Sequence, residues 1–125
     1  MNISFGSADV KNRIALKEKI DIDAYTGKKL RKNDKSIEHI QPASRNGMND
    51  VSNYLVVHRK INEERGNTPF WEFLQDFPEV IKNIQSYLDR YRGMQFKGEN
   101  YVEAVKATLN REAKGVVSFR GKNNG

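Results

Sequence analysis

A strand, a turn-rich loop, a second strand and a helix follow one another between residues 36 and 66, and this order constrains the fold more than any other feature. Residues 36–40 are followed closely by a proline, which ends a strand. Residues 43–50 are rich in loop-forming residues, and 53–57 are rich in β-branched and aromatic ones. Residues 58–65 favour a helix and are closed by a glycine. The segment therefore predicts a ββα unit.

Helical patterns dominate the sequence on both sides of this unit. Apolar residues recur at helical spacing before it and, more extensively, after it. We expect an α+β protein with a single domain over 1–125, a core over 20–68, a helical C-terminal extension over 69–115 and a flexible basic tail over 120–125. The individual predictions are helices near 8–20, 68–75, 78–93 and 100–114, and short strands near 20–24, after Leu30 and at 116–119.

Composition excludes several classes of site. The 125 residues include no cysteine, so a disulfide framework, a thiolate nucleophile and a cysteine-based zinc site are ruled out. The formal net charge is +6, which favours a polyanionic partner such as nucleic acid but also fits a protein that is simply soluble. No apolar run approaches the length of a membrane span, so we expect a cytoplasmic protein with no membrane contact.

Four side chains that could take part in catalysis or metal binding lie within the ββα segment. Glu38 and His39 are adjacent, Asn53 follows His39 by 14 positions, and Asn62 follows Asn53 by nine. An ordinary imidazole titrates near pH ~6.5 and suits a general base. Carboxylate and amide oxygens suit Mg²⁺, which keeps several waters and needs few protein ligands. This set predicts a small metal-dependent site that hydrolyses phosphodiesters.

Strand geometry limits how the adjacent pair can act. Neighbouring residues on a regular strand point to opposite faces. Glu38 and His39 therefore cannot both face one metal ion unless the strand is irregular, and otherwise one of them faces the core.

Three stretches together resemble the HNH endonuclease family: residues 37–44, 53–58 and 62–67. The resemblance extends over roughly residues 20–68. It implies a central ββα-metal (His-Me finger) module around one divalent cation, with flanking N- and C-terminal helices in this chain.

The resemblance also implies a role for each matched residue. By position, the general base is His39, and Asn53 helps to fix the loop and the orientation of the base. The metal ligands are Glu38 and Asn62, holding Mg²⁺, Mn²⁺ or another divalent cation. Glu38 is longer than the aspartate that is usual there. His58 offers an alternative reading of the last motif position, but the spacing of nine favours Asn62.

Many HNH relatives carry two Cys-x-x-Cys pairs for a structural zinc, and this chain departs from that pattern. The corresponding stretches are residues 23–26 and 58–61, which hold no cysteine. We therefore expect no structural zinc, with the hairpin and the C-terminal helices supplying the stability instead.

Several basic residues surround the motif. Arg59, Asn62 and Arg65 are spaced by three and so share one helix face, which either binds phosphate or is simply solvated. The basic run over 28–35 either follows a DNA backbone or forms a charged hairpin. The candidate nucleic-acid contacts are Arg59, Arg65, His58, Lys60 and Arg45.

The function expected from this resemblance is a divalent-metal-dependent DNA endonuclease that nicks or cuts both strands. A stand-alone phage-encoded protein, acting in the host cytoplasm, is the kind of relative that its size suggests. A homodimer would allow double-strand cleavage, and a phage or host protein is a further partner to consider. The alternatives are a catalytically inactive protein of the same fold that binds nucleic acid or a host factor, and a ribonuclease. The aromatic residues over 70–77 either stack on bases or, as we expect, pack in the core.

Overall fold

A computed structural model describes the backbone of residues 3–120 and the side chains from Ala8 onward. The first helix, α1, covers Ile3–Lys19 and so begins earlier than the sequence pattern predicts. It buries Leu16 completely. The predicted basic tail lies outside the described residues, except for Arg120.

The segment after α1 forms a turn rather than two strands. Only one antiparallel bridge, Ile22 to Lys29, joins its two sides. Gly27 has a φ of 75°, a left-handed conformation that favours glycine at this turn. The strands predicted near 20–24 and after Leu30 are thus reduced to a bridged turn, which packs Ala24 and Tyr25 into the core.

The central sheet is an antiparallel pair, β1 (Lys35–His39) and β2 (Tyr54–His58). Lys35 lies opposite His58, and His39 lies opposite Tyr54. The outer side of β2 is covered by buried tyrosine hydroxyls: Tyr87 bonds the Val56 amide, and Tyr101 donates to the Tyr54 carbonyl. These bonds satisfy backbone groups that an edge strand would otherwise expose.

The helix α2, Arg59–Arg65, follows β2 without a loop and packs across both strands. His58 caps its start, since its Nδ1 accepts a hydrogen bond from the Lys60 amide at 3.1 Å. Gly66, with φ of 54°, ends it. The predicted ββα unit is therefore present in the expected order.

The C-terminal part consists of α3 (Phe70–Asp76), α4 (Glu79–Arg90), a small hairpin of β3 (Gln95–Phe96) and β4 (Glu99–Asn100), and α5 (Tyr101–Ala113). The hairpin was not predicted. The strand predicted over 116–119 is wrong, because this segment is irregular. The Asn110 side chain bonds both the amide and the carbonyl of Phe119, at 2.7 and 3.1 Å, and so replaces a strand partner.

The core joins the sheet to the C-terminal helices. Phe70, Phe73 and Leu74 are buried within it, as expected for core packing, whereas Phe77 is 48% exposed and departs from that prediction. The fold is α+β, as predicted, with the ββα unit at its centre. Within residues 3–120, no helix has the length and apolar character needed to cross a bilayer.

Candidate functional site

Glu38 and His39 point to opposite faces of the sheet. Glu38 faces α2 and is only 2% exposed. His39, at the end of β1, is half-buried, and its ring lies 5.1 Å from the Tyr54 ring in an edge-on arrangement. Because β1 is regular at this point, the alternation of side chains separates the two residues.

The buried Glu38 carboxylate accepts hydrogen bonds from two side chains. The Tyr25 hydroxyl donates to its Oε2 at 2.6 Å, and Arg65 Nη1 donates to the same oxygen at 2.8 Å. Burial raises the pKa of Glu38, and the nearby Arg65 charge opposes that shift. Burial, together with the Glu38 charge, raises the pKa of Tyr25 well above its usual value, so Tyr25 stays a neutral donor.

Arg65 ties α2 to the end of β1. It donates to the carbonyls of His39 at 2.6 Å, Ile40 at 2.8 Å and Thr68 at 3.0 Å, besides its bond to Glu38. It is 3% exposed. The prediction that Arg65 contacts nucleic acid is therefore contradicted, since a buried guanidinium with these acceptors cannot reach a phosphate.

Asn62 also docks α2 onto β1. Its amide nitrogen donates to Ser36 Oγ at 2.7 Å and to the Ile37 carbonyl at 2.8 Å. The side-chain oxygen has no hydrogen-bond partner among the described residues and is the atom left for another ligand.

The predicted metal-ligand pair does not fit a divalent cation in this geometry. Glu38 is closed in beside the fixed positive charge of Arg65, which would repel a cation. Within the described part of the chain, no three His, Asp or Glu side chains are grouped to hold a metal ion. The assignment of Glu38 as a metal ligand is thus corrected to a structural role, whereas Asn62 keeps a free oxygen.

A polar cluster that sequence reasoning missed surrounds His39. Its Nε2 lies 3.1 Å from Asn49 Oδ1, and Arg13 Nη2 donates to that same oxygen at 3.2 Å. Arg13 Nε is bound to Asp9 at 2.7 Å, and the Tyr54 hydroxyl donates to Asp9 at 2.7 Å. Burial and the bond to Asp9 raise the pKa of Tyr54 to about 12.

Only one signal in the sequence pointed toward this cluster. Asp9 and Arg13 are four residues apart, the spacing of a helical ion pair. Nothing local connects that pair to Asn49, which is 36 positions from Arg13.

The cluster defines the tautomer of neutral His39. A guanidinium has donors only, so the Asn49 atom that Arg13 contacts must be the oxygen. The same oxygen faces His39 Nε2, which must then carry the proton. The lone pair of neutral His39 is therefore on Nδ1, as a base requires.

Asn53 fixes the loop between the strands. Its amide nitrogen donates to the carbonyls of Gln41 and Met48, each at 3.0 Å, and its oxygen accepts from the Gln41 amide at 2.9 Å. No bond to His39 is among its contacts. These bonds join Gln41 to Met48, the residue before Asn49, across the loop.

The other predicted nucleic-acid contacts fall into two places. His58, Arg59 and Lys60 lie at the end of the sheet away from His39, since the register pairs His58 with Lys35. Four residue-to-residue steps along the strand separate the ends, about 13 Å at ~3.3 Å per step. Arg45 lies in the loop just after His39 and is exposed, with its Nε bound to the Asn67 carbonyl at 2.9 Å.

Comparison with known proteins identifies the family of the central segment. A sequence profile of the HNH endonuclease family matches residues 23–70, which include both strands of the sheet and α2. The match confirms the family resemblance and assigns this segment to the HNH endonucleases. Searches of curated proteins and of solved structures gave no significant match.

Proposed function

We propose that this protein is a divalent-metal-dependent DNA endonuclease in which His39 is the general base. The observation that carries the proposal is the position of His39 within the segment matched to the family: at the end of β1, half-buried, with its Nδ1 lone pair left free. Nuclease activity in general is what the family indicates. The substrate, the base and the ion dependence are our proposal.

The chemistry assigned to this chain is base catalysis and positioning. His39 Nδ1 takes a proton from water, the resulting hydroxide attacks phosphorus, and the bond from phosphorus to the 3′-oxygen breaks. The leaving oxygen takes a proton from solvent. We assign the phosphate contact to Arg45, because it is exposed in the loop that follows β1.

Divalent-ion dependence rests on the family and not on a ligand set found in this structure. Asn62 Oδ1 is the predicted donor that no described group occupies. Mg²⁺ and Mn²⁺ are the ions we would test first.

The experiment is cleavage of supercoiled plasmid DNA with Mg²⁺, Mn²⁺ or EDTA, using wild type and His39→Ala. His58→Asn is the matched control, because it removes the other imidazole while asparagine can still cap α2. We expect ion-dependent conversion to open-circular or linear DNA that is lost in His39→Ala and kept in His58→Asn. Cleavage that persists in His39→Ala would show that His39 is not the general base. Cleavage of RNA alone would overturn the choice of DNA as the substrate.

A second candidate function is favoured by the closed environment of Glu38. A protein that had exchanged a metal ligand for a buried ion pair could retain nucleic-acid binding without cleavage. The result that would select this candidate is DNA binding by folded wild type in a gel-shift assay, together with no cleavage under any ion.

A further inference from the structure

We propose that Asn49 and Arg13 are positioning residues for His39, so that α1 completes the site from outside the segment matched to the family. The inference rests on the proposed function for its chemical meaning. The profile begins at residue 23, whereas Arg13 lies on α1. The geometry around the ring does not depend on whether cleavage occurs.

Asn49 needs a partner to hold its amide in one orientation. It is exposed, on a loop, and its side chain could otherwise rotate and present either the oxygen or the nitrogen to His39. Arg13 Nη2 selects the oxygen by donating to it. The side-chain oxygen of Asn49 therefore links Arg13, on α1, to the imidazole of His39.

Arg13 is itself held from several directions. Its Nε donates to Asp9, its Nη2 also donates to the Tyr54 hydroxyl at 3.1 Å, and its guanidinium lies 5.0 Å from the centre of the Tyr54 ring. Asp9 balances its charge, so the ring of His39 does not face an uncompensated cation. A guanidinium fixed in this way is a rigid donor rather than a mobile surface charge.

The imidazole is thus restrained at two places. Asn49 holds Nε2, and the Tyr54 ring packs edge-on against the imidazole at an interplanar angle of 70°. Nδ1 remains without a hydrogen-bond partner among the described residues. Loss of Asn49 or Arg13 should allow the ring to exchange tautomers and to rotate about its side-chain bonds. The backbone of His39 should keep its position at the end of β1.

The experiment measures the ring nitrogens of His39 directly, by long-range ¹⁵N–¹H NMR on the full chain at about pH 8, where an ordinary imidazole is neutral. His58 is the only other histidine, and its Nδ1 accepts from the Lys60 amide, so it serves as an internal reference. The variants are Asn49→Ala and Arg13→Ala. Lys11→Ala is the matched control, because it removes a cation from the exposed side of α1.

In wild type and Lys11→Ala we expect His39 to be protonated on Nε2 alone. In Asn49→Ala and Arg13→Ala we expect the two ring nitrogens to average toward each other while His58 stays unchanged. In the cleavage assay the same two variants should lose about 10- to 100-fold in kcat, with KM within about twofold of wild type.

An unchanged His39 spectrum in Asn49→Ala would overturn the inference, and this variant tests it without risk to folding because Asn49 is exposed. A changed spectrum in a protein that cleaves nothing would support the positioning role and reject the proposed function. The two proposals can therefore fail separately.

Discussion

Arg65 Nη1 lies 2.8 Å from Glu38 Oε2, and both side chains are almost completely buried. This pair joins the C-terminal end of α2 to the end of β1, directly beneath the backbone of His39. Glu38, the residue next to the proposed base, thus helps to hold the backbone of His39 in place. Its removal should lower the free energy of unfolding.

Replacing Glu38 with alanine should destabilise the protein in the absence of any metal ion. The change leaves Arg65 as an uncompensated buried charge, which typically costs about 3–5 kcal/mol. Urea unfolding in EDTA measures the free energy of unfolding, with Glu63→Gln on the exposed side of α2 as the control. If Glu38 were instead a metal ligand, its loss would not lower stability in EDTA.

Replacing Gly47 with alanine should disrupt the loop that carries Asn49. A Cβ at this position would overlap the Gln41 carbonyl oxygen, so the backbone must move. We expect a loss of stability of roughly 1–3 kcal/mol, as for other overpacked sites, and faster amide exchange in the loop. The control is Met48→Ala, since Met48 is 69% exposed. Unchanged exchange in Gly47→Ala would show that the loop tolerates this displacement.

Stability should fall steeply above about pH 10, the usual pKa of tyrosine. Burial raises the pKa of Tyr25, Tyr87 and Tyr101 in the folded protein, so that above pH ~10 the unfolded chain loses these protons first. The folded state then binds more protons, and the free energy of unfolding decreases as pH rises.

Three such groups together correspond to up to about 4 kcal/mol per pH unit. Urea titrations across this range, followed by both circular dichroism and tyrosinate absorbance, provide the measurement. Ionisation of all five tyrosines while the fold persists would contradict the prediction.

Replacing Arg45 with alanine should weaken DNA binding and its salt dependence more than replacing Arg59. Arg45 follows His39 in the loop, whereas Arg59 begins α2 at the far end of the sheet. Loss of one phosphate contact lowers the slope of log K against log salt by about 0.9 for duplex DNA. Fluorescence anisotropy over a salt series measures the slope. Arg92→Ala, which removes an exposed arginine in the turn after α4, is the control.

An equal effect of Arg45→Ala and Arg92→Ala would reduce the role of Arg45 to general charge. A larger effect of Arg59→Ala would place the nucleic acid along α2 instead of across the loop.

The order of elements could be predicted because it depends on local signals. The proline after β1, the β-branched run of β2 and the glycine after α2 each act on their own neighbourhood, and all three elements formed where expected. The short strands near 20–24 and 116–119 could not be predicted reliably, because a strand needs a partner. The backbone of Phe119 bonds the Asn110 side chain and not a neighbouring strand.

The sequence by itself determined the ββα unit and the family resemblance, and it restricted Glu38 and His39 to opposite faces of any regular strand, since alternation along a strand is a local property. Only the tertiary structure decided which face each residue occupies. Arg65 and Tyr25 close over Glu38 from 27 and 13 positions away, and Asn49 and Arg13 meet beside His39 from two different elements. The physical reason is that burial and ion pairing depend on which surfaces pack together, which no spacing within one strand specifies.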